Sequence, residues 1–77
     1  MVLIKLLSNE QNIIRYSYQP ESNGEPGVLS YDKNTDNSKI ENFAENDSKS
    51  AFYRNPIITF IRDNLKSLPK EKLLMWY

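Results

Sequence analysis

Asp32-x-Asn34-x-Asp36 is a spacing that matches the opening ligands of a calcium loop. Oxygen donors at alternate positions suit a hard divalent cation. The frame then fails. Its sixth position is Asn37, where the sharp bend needs glycine, and its twelfth is Phe43, where a bidentate Glu closes the shell. The same residues suit a hairpin turn, because Asn and Asp bond their own backbone and accept left-handed conformations. A turn with at most weak cation binding is expected.

The other candidates for chemistry are carboxylate pairs, Glu21 with Glu25 and Glu45 with Asp47. Such pairs can move protons when burial raises one pKa. Both pairs fall in polar loops, where nothing visible desolvates them. The chain has neither His nor Cys. Its eight serines therefore lack the usual activating base, and thiol chemistry, disulfides and Cys-ligated zinc are excluded. Gly24-x-x-Gly27 runs into Val28-Leu29-Ser30-Tyr31, a strand where a phosphate loop needs a helix N-terminus. No catalytic, metal or cofactor residues are assigned, and the chain is read as no enzyme.

Charge points toward partners. Ten bases balance ten acids, so no overall field draws in nucleic acid or an anionic membrane. The distribution is uneven. Residues 21–47 hold seven acids against Lys33 and Lys39, and residues 48–77 hold six bases against Asp63 and Glu71. The two halves can attract each other within one molecule or between two. Arg62 and Lys66, four apart on a helix, raise nucleic acid as an alternative partner, with Tyr16, Tyr18 and Tyr31 as a stacking platform. Tyrosines on a half-buried sheet more often pack beneath a helix with the hydroxyl at the rim.

These residues must be positioned by a single domain spanning residues 1–77. Val2–Leu7 is apolar on both faces and too short for a membrane span. It has no basic lead or cleavage site, so it reads as a buried strand in a cytoplasmic protein. Ser8–Asn12 is a polar loop, and Ile13–Tyr18 alternates as a strand that Pro20 ends. Gln19–Gly27 is a loop holding both glycines of the chain. Val28–Asp32 and Ser38–Phe43 give two more strands, the last charged enough to be a sheet edge.

After Ala44 the period changes. Tyr53, Ile57, Ile61, Leu65 and Leu68, with Ile58, make one helical stripe. Pro56 lies inside it and either kinks one helix or starts a second, capped by Asn55. The break is expected, with a turn or two near 48–54 and a main helix near 56–67. Leu73-Leu74-Met75-Trp76-Tyr77 is a strand between neighbours, beside Val2–Leu7, or a docking tail.

Tyr16-Ser17-Tyr18-Gln19-Pro20-Glu21-Ser22-Asn23-Gly24-Glu25-Pro26-Gly27, then Tyr31-Asp32, resembles a small family of uncharacterised proteins from low-GC Gram-positive bacteria. In that family a Tyr-x-Tyr strand enters a Pro-Glu-x-x-Gly-Glu-x-Gly loop. Ala44-Glu45-Asn46-Asp47 and the closing Trp76-Tyr77 match its pattern, so the resemblance spans residues 16–77. Pro56 and Asn37 depart from it, the latter standing where a turn glycine is usual. The resemblance implies no activity.

The expected architecture is α+β: a four-stranded antiparallel meander, one Pro56-interrupted helix on one face, and a C-terminal strand or tail. The stripe Tyr53, Ile57, Ile61 and Leu65 should meet Ile14, Tyr16, Leu29 and Tyr31. One helix covers one face only, which leaves Leu3 and Leu7 needing another cover. A second copy of the chain, or another protein, would provide it. Leu3, Leu7, Arg62, Lys66 and Trp76 are the candidate interaction residues.

Overall fold

The computed structural model of the chain describes residues 1–48 and 51–75. Its elements run β1 (Val2–Glu10), β2 (Ile13–Pro20), β3 (Gly27–Asp32), β4 (Asn37–Asn42), α1 (Ala51–Asp63) and β5 (Glu71–Leu74). The five strands form one antiparallel sheet in the order β4-β3-β2-β1-β5. The first four are the expected meander, with the charged β4 at an edge.

Strand alternation decides which residues meet the helix. Val2 and Ile4, then Ile14, Tyr16 and Tyr18, then Leu29 and Tyr31 are buried on one face. Ile57, Ile58 and Ile61 of α1 complete that core. Leu6, Ile40, Tyr53, Phe60, Leu68 and Leu74 pack around it half-buried. Burial pushes the Tyr16 and Tyr18 hydroxyl pKa values up. Each hydroxyl reaches a partner, as a buried phenol must: Tyr16 donates to the Pro69 carbonyl at 2.6 Å and Tyr18 to Asp47 Oδ2 at 2.6 Å.

Gly27 is fixed by close approach. A Cβ there would lie 2.3 Å from the Asn42 carbonyl oxygen and 2.4 Å from the Ala44 nitrogen. Only hydrogen lets β3 run that near the exit of β4.

Four expectations need correction. The polar stretch Ser8–Glu10 is strand, not loop. Gln11 and Asn12 both take positive φ, 52° and 70°, so the connection needs only two residues, and a β-bulge at Leu7 restores the register.

The helix is one element with Pro56 inside it, not two. Pro56 lacks the N–H that helix geometry directs to residue 52, a cost of about 3 kcal/mol. Burial of Ile57, Ile58 and Ile61, about 1.5–3 kcal/mol for each, outweighs that.

The helix ends at Asp63, so Leu65 falls outside it and is exposed. Asn64 stops it: its side-chain Nδ2 donates to the Phe60 carbonyl at 2.8 Å, and its backbone N–H donates to Ile61 at 3.1 Å.

β5 lies beside β1, as expected, but at the sheet's edge and not between neighbours. The short return from α1 brings Lys70 to β1, where its carbonyl accepts from the Leu6 N–H at 2.8 Å. Leu73 is consequently exposed and Leu74 half-buried. The expectations for Trp76 and Tyr77 lie outside the described residues.

Candidate functional site

α1 covers one face of the sheet. The opposite face carries the other parity of each strand. Over β2, β3 and β4 that face is largely polar. Arg15 of β2 reaches across β3 to Glu41 of β4, Nε to Oε2 at 3.2 Å, and Ser30 beneath is buried.

Over β1 and β5 the character changes. Leu3 pairs with Gln19 on one side and Leu73 on the other. Leu3 is half-buried, while Leu73 is 43% exposed and Leu7, on the bulge, is 54% exposed. The next pair along is Lys5 with Glu71, an exposed ion pair at 3.8 Å. A notch of about 80 Å³, lined by Leu3, Lys5, Ser17, Gln19 and Pro26, opens on this face. The structure thus joins Leu3 to Leu73, a pairing that only the placement of β5 reveals.

Arg62 and Lys66 have different surroundings. The Arg62 guanidinium grips Asp36 of the β3–β4 turn, Nε to Oδ1 at 3.1 Å and Nη2 to Oδ2 at 3.4 Å. Tyr31 donates to the same Oδ1 at 2.5 Å. The Tyr31 and Arg62 hydrogen bonds hold the Asp36 carboxyl below its ordinary range, and Asp36 in turn raises the Tyr31 hydroxyl. Lys66 is exposed in the turn beyond α1. Trp76 lies outside the described residues. Tyr16, Tyr18 and Tyr31 are all in the core and not on a stacking surface.

The candidate acids have different surroundings. Asp32 Oδ1 accepts from the Asn34 and Thr35 N–H groups at 2.8 and 3.3 Å, which makes the region a side-chain-capped turn. Glu21 takes the Met1 ammonium at 2.8 Å, which holds its carboxyl below the usual range. Glu45 Oε1 accepts from the Glu25 N–H at 3.0 Å. Asp47 is buried on Tyr18. Among the described residues no group of three or more acids is placed to hold a metal ion, and no helix is long and apolar enough to cross a membrane.

A second depression, about 380 Å³, lies at the β4 edge on the helix side. Its walls are Ser38 and the α1 residues Arg54, Asn55, Ile58, Thr59 and Arg62.

No family model, curated protein or solved structure matches this chain.

Proposed function

We propose that this chain is a small non-catalytic interaction module that pairs with a second copy of itself through the sheet face its helix leaves open. The Leu3–Leu73 pair carries the reading, with the exposed Leu7 farther along the same strand. Two leucines set side by side on an uncovered face are removed from water when a like surface meets them. The neighbouring Lys5–Glu71 pair supports a copy as the occupant. Under two-fold symmetry the same patch meets itself, so each charge can face its opposite in the partner. A domain of this length also gains most from such cover, because its own core is thin.

Nucleic-acid binding through α1 has less support. The tyrosines that would stack on bases are buried, and Lys66 lies beyond the end of α1. The cytoplasm is the proposed setting, and the resemblance of residues 16–77 to a low-GC Gram-positive family is part of the proposal. The test is mass in solution. The wild type should be a dimer, and Leu3→Lys with Leu73→Lys should be a folded monomer.

A further inference from the structure

The groove between α1 and β4 lies on the other side of the sheet from the Leu3–Leu73 pair. β4 is an outer strand, so one side of its backbone has no neighbouring strand among the described residues. Such an edge accepts an added strand when nothing guards it. Lys39 and Glu41 guard the face away from the helix. On the helix side β4 shows only Ser38 and half-buried Ile40.

The helix wall of the groove is cationic. Arg54 has no carboxylate partner among the described residues. Arg62 gives two hydrogen bonds to Asp36, and a guanidinium has five N–H donors to share. Asn55 and Thr59 are exposed polar groups beside them, and Ile58, 7% exposed, is the apolar floor.

Spacing then sets the ligand's pattern. Arg54 and Arg62 are eight residues apart, a little over two turns and about 12 Å along the axis at the helical rise, and both line the groove. An extended chain covers that distance in about four residues. Residues i and i+4 of a strand share a face, with i+2 between them over Ile58.

We propose that this groove takes an extended acidic peptide as a sixth strand on β4, with acidic side chains at i and i+4 on Arg54 and Arg62. A small apolar side chain at i+2 meets Ile58. The site is independent of the dimer face, and either can fail without the other.

The probe is a labelled peptide of sequence Thr-Glu-Thr-Val-Thr-Glu-Thr, titrated onto the full chain by fluorescence anisotropy. The control replaces both Glu with Lys. Tighter binding of the acidic peptide is expected, falling at least tenfold in Arg54→Glu. Arg54 is half-buried, so Arg54→Gln, which keeps a long polar side chain, is the second variant, and both should keep the native circular dichroism and the wild-type mass. Arg54→Glu should also abolish the preference for the acidic peptide over the Lys peptide. Amide shifts on Lys39, Ile40 and Glu41 in the bound state are the signature of strand addition. Equal binding of both peptides would overturn the proposal. So would shifts confined to α1, no binding at millimolar peptide, or a single-stranded oligonucleotide that binds where the acidic peptide does not.

Discussion

Arg62 of α1 holds Asp36 of the β3–β4 turn, two residues 26 apart in sequence. The contact ties the helix to the hairpin it packs over. Asp36 sits at φ 59°, a left-handed conformation that Asp and Asn accept better than most residues.

Asp36→Asn should keep that backbone and lose the charge. Asp36 has its carboxyl pKa lowered in the fold. Its stabilising contribution is therefore present above the unfolded carboxyl value and is lost as pH falls through the lowered one. The variant should melt slightly below the wild type at neutral pH, with the gap closing in acid. Thermal melts from pH 7 down to pH 2 check this. Because the pair is exposed, salt should shrink the gap as well.

Tyr18→Phe addresses a buried contact. The Tyr18 hydroxyl donates to Asp47 and accepts from the Ala44 N–H at 3.1 Å. Removing it takes that partner from two buried groups. Each such loss costs about 1–3 kcal/mol. Urea unfolding should show a fall of about 3 kcal/mol with an unchanged slope. Tyr31→Phe, whose hydroxyl meets exposed Asp36, should lose less.

Calcium or magnesium at physiological levels should leave the melting temperature nearly unchanged. Asp32 is committed to the turn's own N–H groups, and Asp36 to Tyr31 and Arg62. A tightly bound ion would add about 2.7 kcal/mol at a hundredfold excess over its dissociation constant. A metal-dependent rise that vanishes in Asp32→Ala would show that the loop binds the ion after all.

Much of this fold was readable from period alone. Ile14, Tyr16, Tyr18, Leu29 and Tyr31 alternate, and Ile57, Ile58 and Ile61 follow helical spacing. Those patterns survive in the core because burial selects them. The misread places turn on other physics. Gln11 and Asn12 make a tight turn that pulls polar residues into β1, and that depends on left-handed conformations ordinary residues rarely adopt. The local cost of Pro56 points to a break, while the packing of its neighbours prevails. Leu65 fits the stripe by spacing, but Asn64 ends the helix first.

The candidate site was half legible. Two-sided apolarity in β1 singled out Leu3 and Leu7, and the structure leaves both on the side without the helix or at its bulge. Leu73 as their neighbour depends on where β5 docks, a long-range pairing with no local signal. The Asp36–Arg62 pair was likewise invisible, because the charge imbalance between the two halves does not say which groups meet.

Sedimentation equilibrium at tens of micromolar tests self-association most directly. The wild type should weigh about 18 kDa, twice the 9.0 kDa chain. Leu3→Lys with Leu73→Lys should weigh one chain and keep the native circular dichroism. Leu73→Lys alone, at an exposed edge position, should weaken the dimer without touching the fold. A wild type that sediments as a monomer would contradict the account, and so would a folded double variant that keeps the full dimer mass.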